Sequence, residues 1–91
     1  MNYWHLKVAR LDPQTHKPTA TATLLLASER QEIEPVEALD KAAKALKMPP
    51  MHTLTMLKYS NIPDDVDSPP EWLPFRDGDV NVWIVTPPSD N

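Results

Sequence analysis

The sequence predicts an α+β fold of two layers, a small antiparallel sheet with one helix packed on one face. Three observations lead there. Two early stretches alternate apolar and polar residues, one central stretch repeats its apolar residues at helical spacing, and two further strand-length runs follow it. In the order β-β-α-β-loop-β, two or three antiparallel strands crossed by a helix are the smallest arrangement that hides every apolar stripe.

The first stretch, YWHLKVARL, puts Trp4, Leu6 and Val8 on one face and Tyr3, His5 and Lys7 on the other, the pattern of a half-buried strand. DPQTHKP, with Pro13 and Pro18 around polar residues, reads as a loop. In TATATLLLAS, Ala20, Ala22, Leu24 and Leu26 share one face and Thr19, Thr21 and Thr23 the other. The short connection makes this second strand an antiparallel neighbour of the first.

EPVEALDKAAKALKM changes period: Val36, Leu39, Ala43 and Leu46 fall on one helical stripe. Pro35 suits the first helical turn, where its missing N–H has no helical partner to lose. Glu32, Glu34 and Glu37 near the start, with Lys41, Lys44 and Lys47 near the end, complement the helix dipole. Glu37 to Lys41 and Asp40 to Lys44 add pairs four residues apart, worth about 0.3 kcal/mol each. Pro49-Pro50 is expected to stop the helix. The preceding SERQEI fits a turn or an extra helical turn equally well.

MHTLTMLKYS reads as a third strand, with Leu54 and Met56 on one face and Thr53 and Thr55 on the other. Leu57 and Tyr59 then fall on the threonine face, which predicts cover on both sides at that end. VNVWIVT is a near-continuous apolar run of strand length, and Asp77-Gly78, holding the chain's single glycine, is a turn signal able to close a hairpin between LPF and VNVWIV. Pro87-Pro88 is expected to end that strand and leave a frayed tail over 87–91. The whole chain, 1–91, reads as one domain with an acidic, proline-rich loop at 63–79.

At 91 residues the chain has room for one small core. An enclosed active site would have to be cut from that core, so the sequence predicts no enzyme. It contains no cysteine, which excludes disulfides, thiolate metal sites and cysteine nucleophiles. Neither a basic segment followed by an apolar run nor a span of about eighteen apolar residues occurs, and the expected setting is the cytoplasm, with no membrane partner.

Net charge is −4, but it is unevenly spread. Residues 1–63 carry eight Lys/Arg against six Asp/Glu, whereas residues 64–91 carry one Arg against seven Asp/Glu. Direct nucleic-acid binding, which needs clustered cations, is disfavoured. A basic protein partner fits better.

The known chemistries find little support. His5, His16 and His52 are too far apart for a local ligand motif and read as ordinary surface residues. Should the first and third strands be neighbours, His5 and His52 would be candidates to meet. RDGDVN offers Asp77, Asp79 and Asn81 at the first ligand positions of a calcium loop, but Val82 stands where that loop needs glycine and Pro88 where it needs glutamate. Neither a metal nor a cofactor is expected. Paired carboxylates suit a glycosidase only on a fixed scaffold, which a proline-rich loop does not provide. One glycine excludes a phosphate cradle. Tyr3 and Tyr59 with His5 and Lys7 match an RNA-stacking face in composition alone, without its signature or its charge.

The candidate site is therefore DDVDSPPEWLPFRDGD, residues 64–79, with Asp64, Asp65, Asp67, Glu71, Asp77 and Asp79 around Trp72 and Phe75. A plain linker avoids aromatics. In one reading Trp72, Leu73 and Phe75 pack back onto the sheet; in the other Trp72 sits exposed within an acidic rim, as a binding hot spot does. The function expected is a small acidic protein-binding module, an inhibitor or adaptor that covers a basic surface of a larger protein, a nucleic-acid-binding one being one version of this. Phage-encoded inhibitors of host or defence machinery are an analogy of size and charge. Two alternatives stand beside it: a self-associating structural domain, a homo-oligomer in which Trp83 or Val85 matters, and a small-ligand module formed between protomers.

Overall fold

A computed structural model describes residues 2–47, 54–62 and 74–89. The elements are β1 (Asn2–Leu11), β2 (Pro18–Ser28), α1 (Pro35–Ala45), β3 (Leu54–Ile62), β4 (Phe75–Asp77) and β5 (Val80–Ser89). All strand pairings are antiparallel, and the five strands lie in the order β3-β1-β2-β5-β4. With α1 packed on one face, this is the expected two-layer α+β fold. Because β2 and β3 both run antiparallel to β1, they are parallel to each other, and the connection between them has to cross over the sheet. The helix makes that crossover.

Alternation decides which side chains enter the core. Trp4, Leu6 and Val8 from β1, Ala22, Leu24 and Leu26 from β2, Leu54 from β3 and Val80 and Val82 from β5 are buried on the helix side. Withdrawing a side chain such as Leu24 from water contributes about 2 kcal/mol. The opposite face holds a smaller cluster of Leu25, Ala27 and Trp83, with Tyr3 and Ile62 packed against it.

Three elements depart from expectation. First, α1 buries Ala38, Ala42, Ala43 and Ala45, while Leu39 and Leu46 flank the contact and Val36 is 65% exposed. The stripe is rotated because small alanines let the helix approach the sheet closely. The helix also ends before the prolines: Leu46 N–H donates to Ala42 O at 2.9 Å, Lys47 N–H donates to Lys44 O at 3.1 Å, and Lys47 takes a left-handed φ of 55°. A glycine is usual at such a position, and lysine there costs about 1 kcal/mol.

Second, β3 carries a bulge. Val8 pairs with Met56 and Lys7 with Lys58, so Leu57 is the extra residue. The strand's alternation is reset there, and Tyr59 returns to the helix side opposite Leu6 instead of sharing a face with Thr55. Leu57 itself is left 47% exposed.

Third, β5 continues through Pro87 and Pro88 to Ser89, where it pairs with Thr21. The strand is not ended by its prolines, since among the described residues β4 pairs only with Val80–Val82 and nothing pairs with the outer side of β5 beyond them. An edge tolerates proline. The β4–β5 hairpin forms as expected, but its two turn residues are Gly78-Asp79, with Asp77 paired to Val80: Gly78 has a φ of 64° at the first central position, the type II′ requirement. No helix among the described residues is long and apolar enough to cross a membrane.

Candidate functional site

Of the residues picked from sequence, Asp64, Asp65, Asp67, Glu71 and Trp72 lie outside the described residues. Phe75, Asp77 and Asp79 fall within them. Phe75 opens β4 opposite Val82 and is 40% exposed. Asp77 and Asp79, on either side of Gly78, meet cations of the same chain.

Asp77 lies opposite Val80, on the helix side of the sheet, and its Oδ2 accepts a 2.9 Å hydrogen bond from Lys41 Nζ. Lys44 Nζ approaches the same oxygen at 3.4 Å and Asp40 at 3.3 Å. The hydrogen bond from Lys41, assisted by Lys44, holds the Asp77 carboxyl below its ordinary value. Of the two helix pairs expected four residues apart, Asp40 to Lys44 forms, while Lys41 turns from Glu37 to Asp77. The hairpin is pinned to the helix by these contacts.

Glu37 is taken by Arg30, whose Nη1 donates to Oε1 at 3.0 Å while Nη2 meets Oε2. This bidentate pair lowers the Glu37 pKa and raises that of Arg30. Arg30 Nε also lies 2.8 Å from Asp79 Oδ2, a close charge contact without hydrogen-bond alignment. The loop is further fixed by Asn2 Nδ2 donating to Arg30 O at 2.7 Å, and by the buried Ser28, whose Oγ accepts from Arg30 N–H at 3.2 Å and donates to Asp79 at 3.4 Å. Residues 29–34, whose start fits a turn or a helix in sequence, form a braced loop between β2 and α1.

These contacts lie at one end of the sheet. There β2 ends at Ser28, β3 ends at Ile62, β4 ends at Asp77, and β1, β5 and α1 begin. Glu29, Glu32 and Glu34 stand exposed on the same loop, and among the described residues no ion pair engages them. The chain enters its acidic stretch immediately after Ile62, from this same end. Three carboxylates without an ion pair among the described residues therefore stand at this end.

Between the loop and the β1–β3 edge lies a cleft of about 460 Å³ lined by Trp4, Gln31, Glu32, Ile33, Pro35, Tyr59 and Asn61. The Tyr59 hydroxyl donates to Ile33 O at 2.7 Å, and Asn61 Nδ2 donates to Tyr3 O at 3.0 Å. Burial, reinforced by the charges of Glu37 and Glu32, pushes the Tyr59 pKa up to about 12. Sequence reasoning passes over this cleft because its walls come from β1, β3 and an unassigned loop. The bulge that turns Tyr59 toward it leaves no period to detect.

The three histidines do not converge among the described residues. His5 sits opposite Ser60, His16 lies in the β1–β2 loop, and His52 is outside the described residues. Among the described residues there is no group of three or more His, Asp or Glu placed to share a metal ion. No protein-family model matches the chain, and no curated protein and no solved structure matches it.

Proposed function

We propose that this protein is a small non-catalytic binding module that occupies a basic surface of a larger cytoplasmic protein, as an inhibitor or adaptor. One observation carries the reading: Glu29, Glu32 and Glu34 stand exposed, with no cation paired to them among the described residues, at the end of the sheet where β3 ends at Ile62. Around Arg30, Lys41 and Lys44 the carboxylates are neutralised internally, so the internal pairs hold the scaffold while the unpaired acids remain for a partner. Such a surface steers toward Lys and Arg and imitates the charge of a phosphate backbone. Asp64, Asp65, Asp67, Glu71 and Trp72 extend the contact in this reading, with Phe75 beside them.

The test is capture from lysate at low and high salt, comparing the wild type with a variant carrying Asp64→Asn, Asp65→Asn and Asp67→Asn. Cross-linking locates the contact on whatever is captured. A partner held through a basic surface, lost in salt and lost in the variant, supports the module. Equal capture by both forms, or contacts outside these acids, overturns it.

Self-association is the second reading, favoured by the outer sides of β3 and β5, which no described strand covers at Leu57, 47% exposed, and Val85, 44% exposed. Against it, Lys58 beside the bulge and the prolines of β5 blunt both edges, and Trp83 is already 7% exposed within one chain. Light scattering separates the two readings: the module is monomeric when unbound.

A further inference from the structure

The cleft beside Glu32 has a composition that selects its occupant. Its polar groups include several free acceptors beside the amide N–H groups of Gln31 and Asn61. Tyr59 has spent its O–H on Ile33 O, and Asn61 has spent an N–H on Tyr3 O, which leaves the phenolic oxygen and the Asn61 carbonyl able to accept. Glu32 adds an unpaired carboxylate, and Gln31 an amide without a partner among the described residues. Among the described residues no cation lines the cleft, because the nearest in sequence, Arg30, is turned to Glu37 and Asp79. The remaining walls are Trp4, Tyr59, Ile33 and Pro35.

We propose that this cleft receives a guanidinium group, the side chain of an arginine on the partner protein. The inference rests on the module reading above and names its anchor. A guanidinium offers five N–H donors in a plane and stacks on aromatic surfaces, so it answers a set of acceptors held beside Trp4 and Tyr59. An ammonium is compact and strongly hydrated, and it leaves more of a 460 Å³ cleft unfilled.

The start of α1 favours an anion here, as do the free amide N–H groups of Gln31 and Asn61. It contributes about half a positive charge, and its first residue, Pro35, has no N–H to offer. Full negative charges on Glu32, with Glu29 and Glu34 on the same loop, outweigh it. Burial chiefly, and then the charges of Glu37 and Glu32, raises the Tyr59 pKa, so both carboxylates act on the ring that lines the cleft.

The test is an NMR titration of the whole chain with N-acetyl-argininamide, with N-acetyl-lysinamide at the same ionic strength as the comparison. The expected result is saturable shifts confined to the Trp4 indole N–H, the Asn61 side-chain amide and the backbone at Tyr59. For a ligand of this size a dissociation constant on the order of 1 mM is expected. Glu32→Gln, at an exposed position without an ion pair, keeps the fold and should weaken binding roughly threefold, the scale of one exposed charge contact.

Absence of saturable shifts up to about 50 mM, equal response to the lysine compound, or no effect of Glu32→Gln overturns the proposal. Failure of the module reading looks different. A captured partner that Glu32→Gln binds as well as the wild type removes the cleft and leaves the module, whereas argininamide binding without any partner does the reverse.

Discussion

The Tyr59 hydroxyl donates a 2.7 Å hydrogen bond to the backbone carbonyl of Ile33, fastening the edge strand β3 to the loop that leads into α1. Without the bulge at Leu57 this ring would point to the other side of the sheet. Ile33 is 2% exposed, so its carbonyl has little water to turn to if the phenol is lost. Tyr59→Phe should therefore cost about 1–2 kcal/mol in urea denaturation. A cost near zero would mean that the carbonyl finds another donor.

The same phenol gives an alkaline signature. Burial chiefly, and then the charges of Glu37 and Glu32, raises the folded-state pKa of Tyr59 from 10.0 to about 12. The unfolded chain therefore ionises first as pH rises. The stabilising contribution is complete below pH 10 and is lost between about 10 and 12. Spectrophotometric titration of the folded protein should place the Tyr59 transition near the upper value, and Tyr59→Phe should remove that transition. A Tyr59 transition near 10 would contradict the burial of the ring.

At the acid end the signs reverse. Hydrogen bonds from Lys41 and Arg30 hold Asp77 and Glu37 below their ordinary values of 3.8 and 4.5. Their contribution is complete above those values and is lost as pH falls through the lower folded-state values, because the unfolded chain then takes up protons first. Asp77→Asn should reduce stability near neutral pH by about 0.5–1 kcal/mol, the usual size for partly exposed pairs. It should also flatten the acid limb of the stability curve. An unchanged acid limb would show that the hairpin is held by the sheet alone.

The parts of this molecule legible in its sequence are those set by one period. Trp4, Leu6 and Val8, and Ala20 to Leu26, reach the core as alternation requires, and the Asp77-Gly78 signal marks the hairpin. Features that depend on two elements meeting are not legible. The largest residues of α1 suggest one stripe, yet the close approach of sheet and helix selects the alanines. Glu37 has two cations to choose from, and the bidentate geometry of Arg30 prevails over the helical neighbour Lys41. The cleft depends on a bulge, which interrupts the pattern by which a strand is recognised.

One pair on the helix-free face is set against itself. Lys7 and Lys58 lie directly opposite across β1 and β3, both exposed and neither in an ion pair among the described residues. Of the described strand residues the only carboxylate is Asp77, on the other side of the sheet, so no described strand residue on this face neutralises them. Like charges directly opposite in a ladder are destabilising. Lys7→Glu converts the repulsion into a cross-strand attraction and should stabilise the fold by about 0.5 kcal/mol, while adding Lys58→Glu to it should return stability toward the wild type by restoring a like-charge pair. Denaturation of the two variants at low and high salt measures this, and the difference should shrink as salt screens the exposed charges. Because both lysines lie on the face away from the helix, Lys7→Glu should leave capture of a partner by the acidic end intact. A variant that gained stability and lost its partner would move the binding surface to the helix-free face.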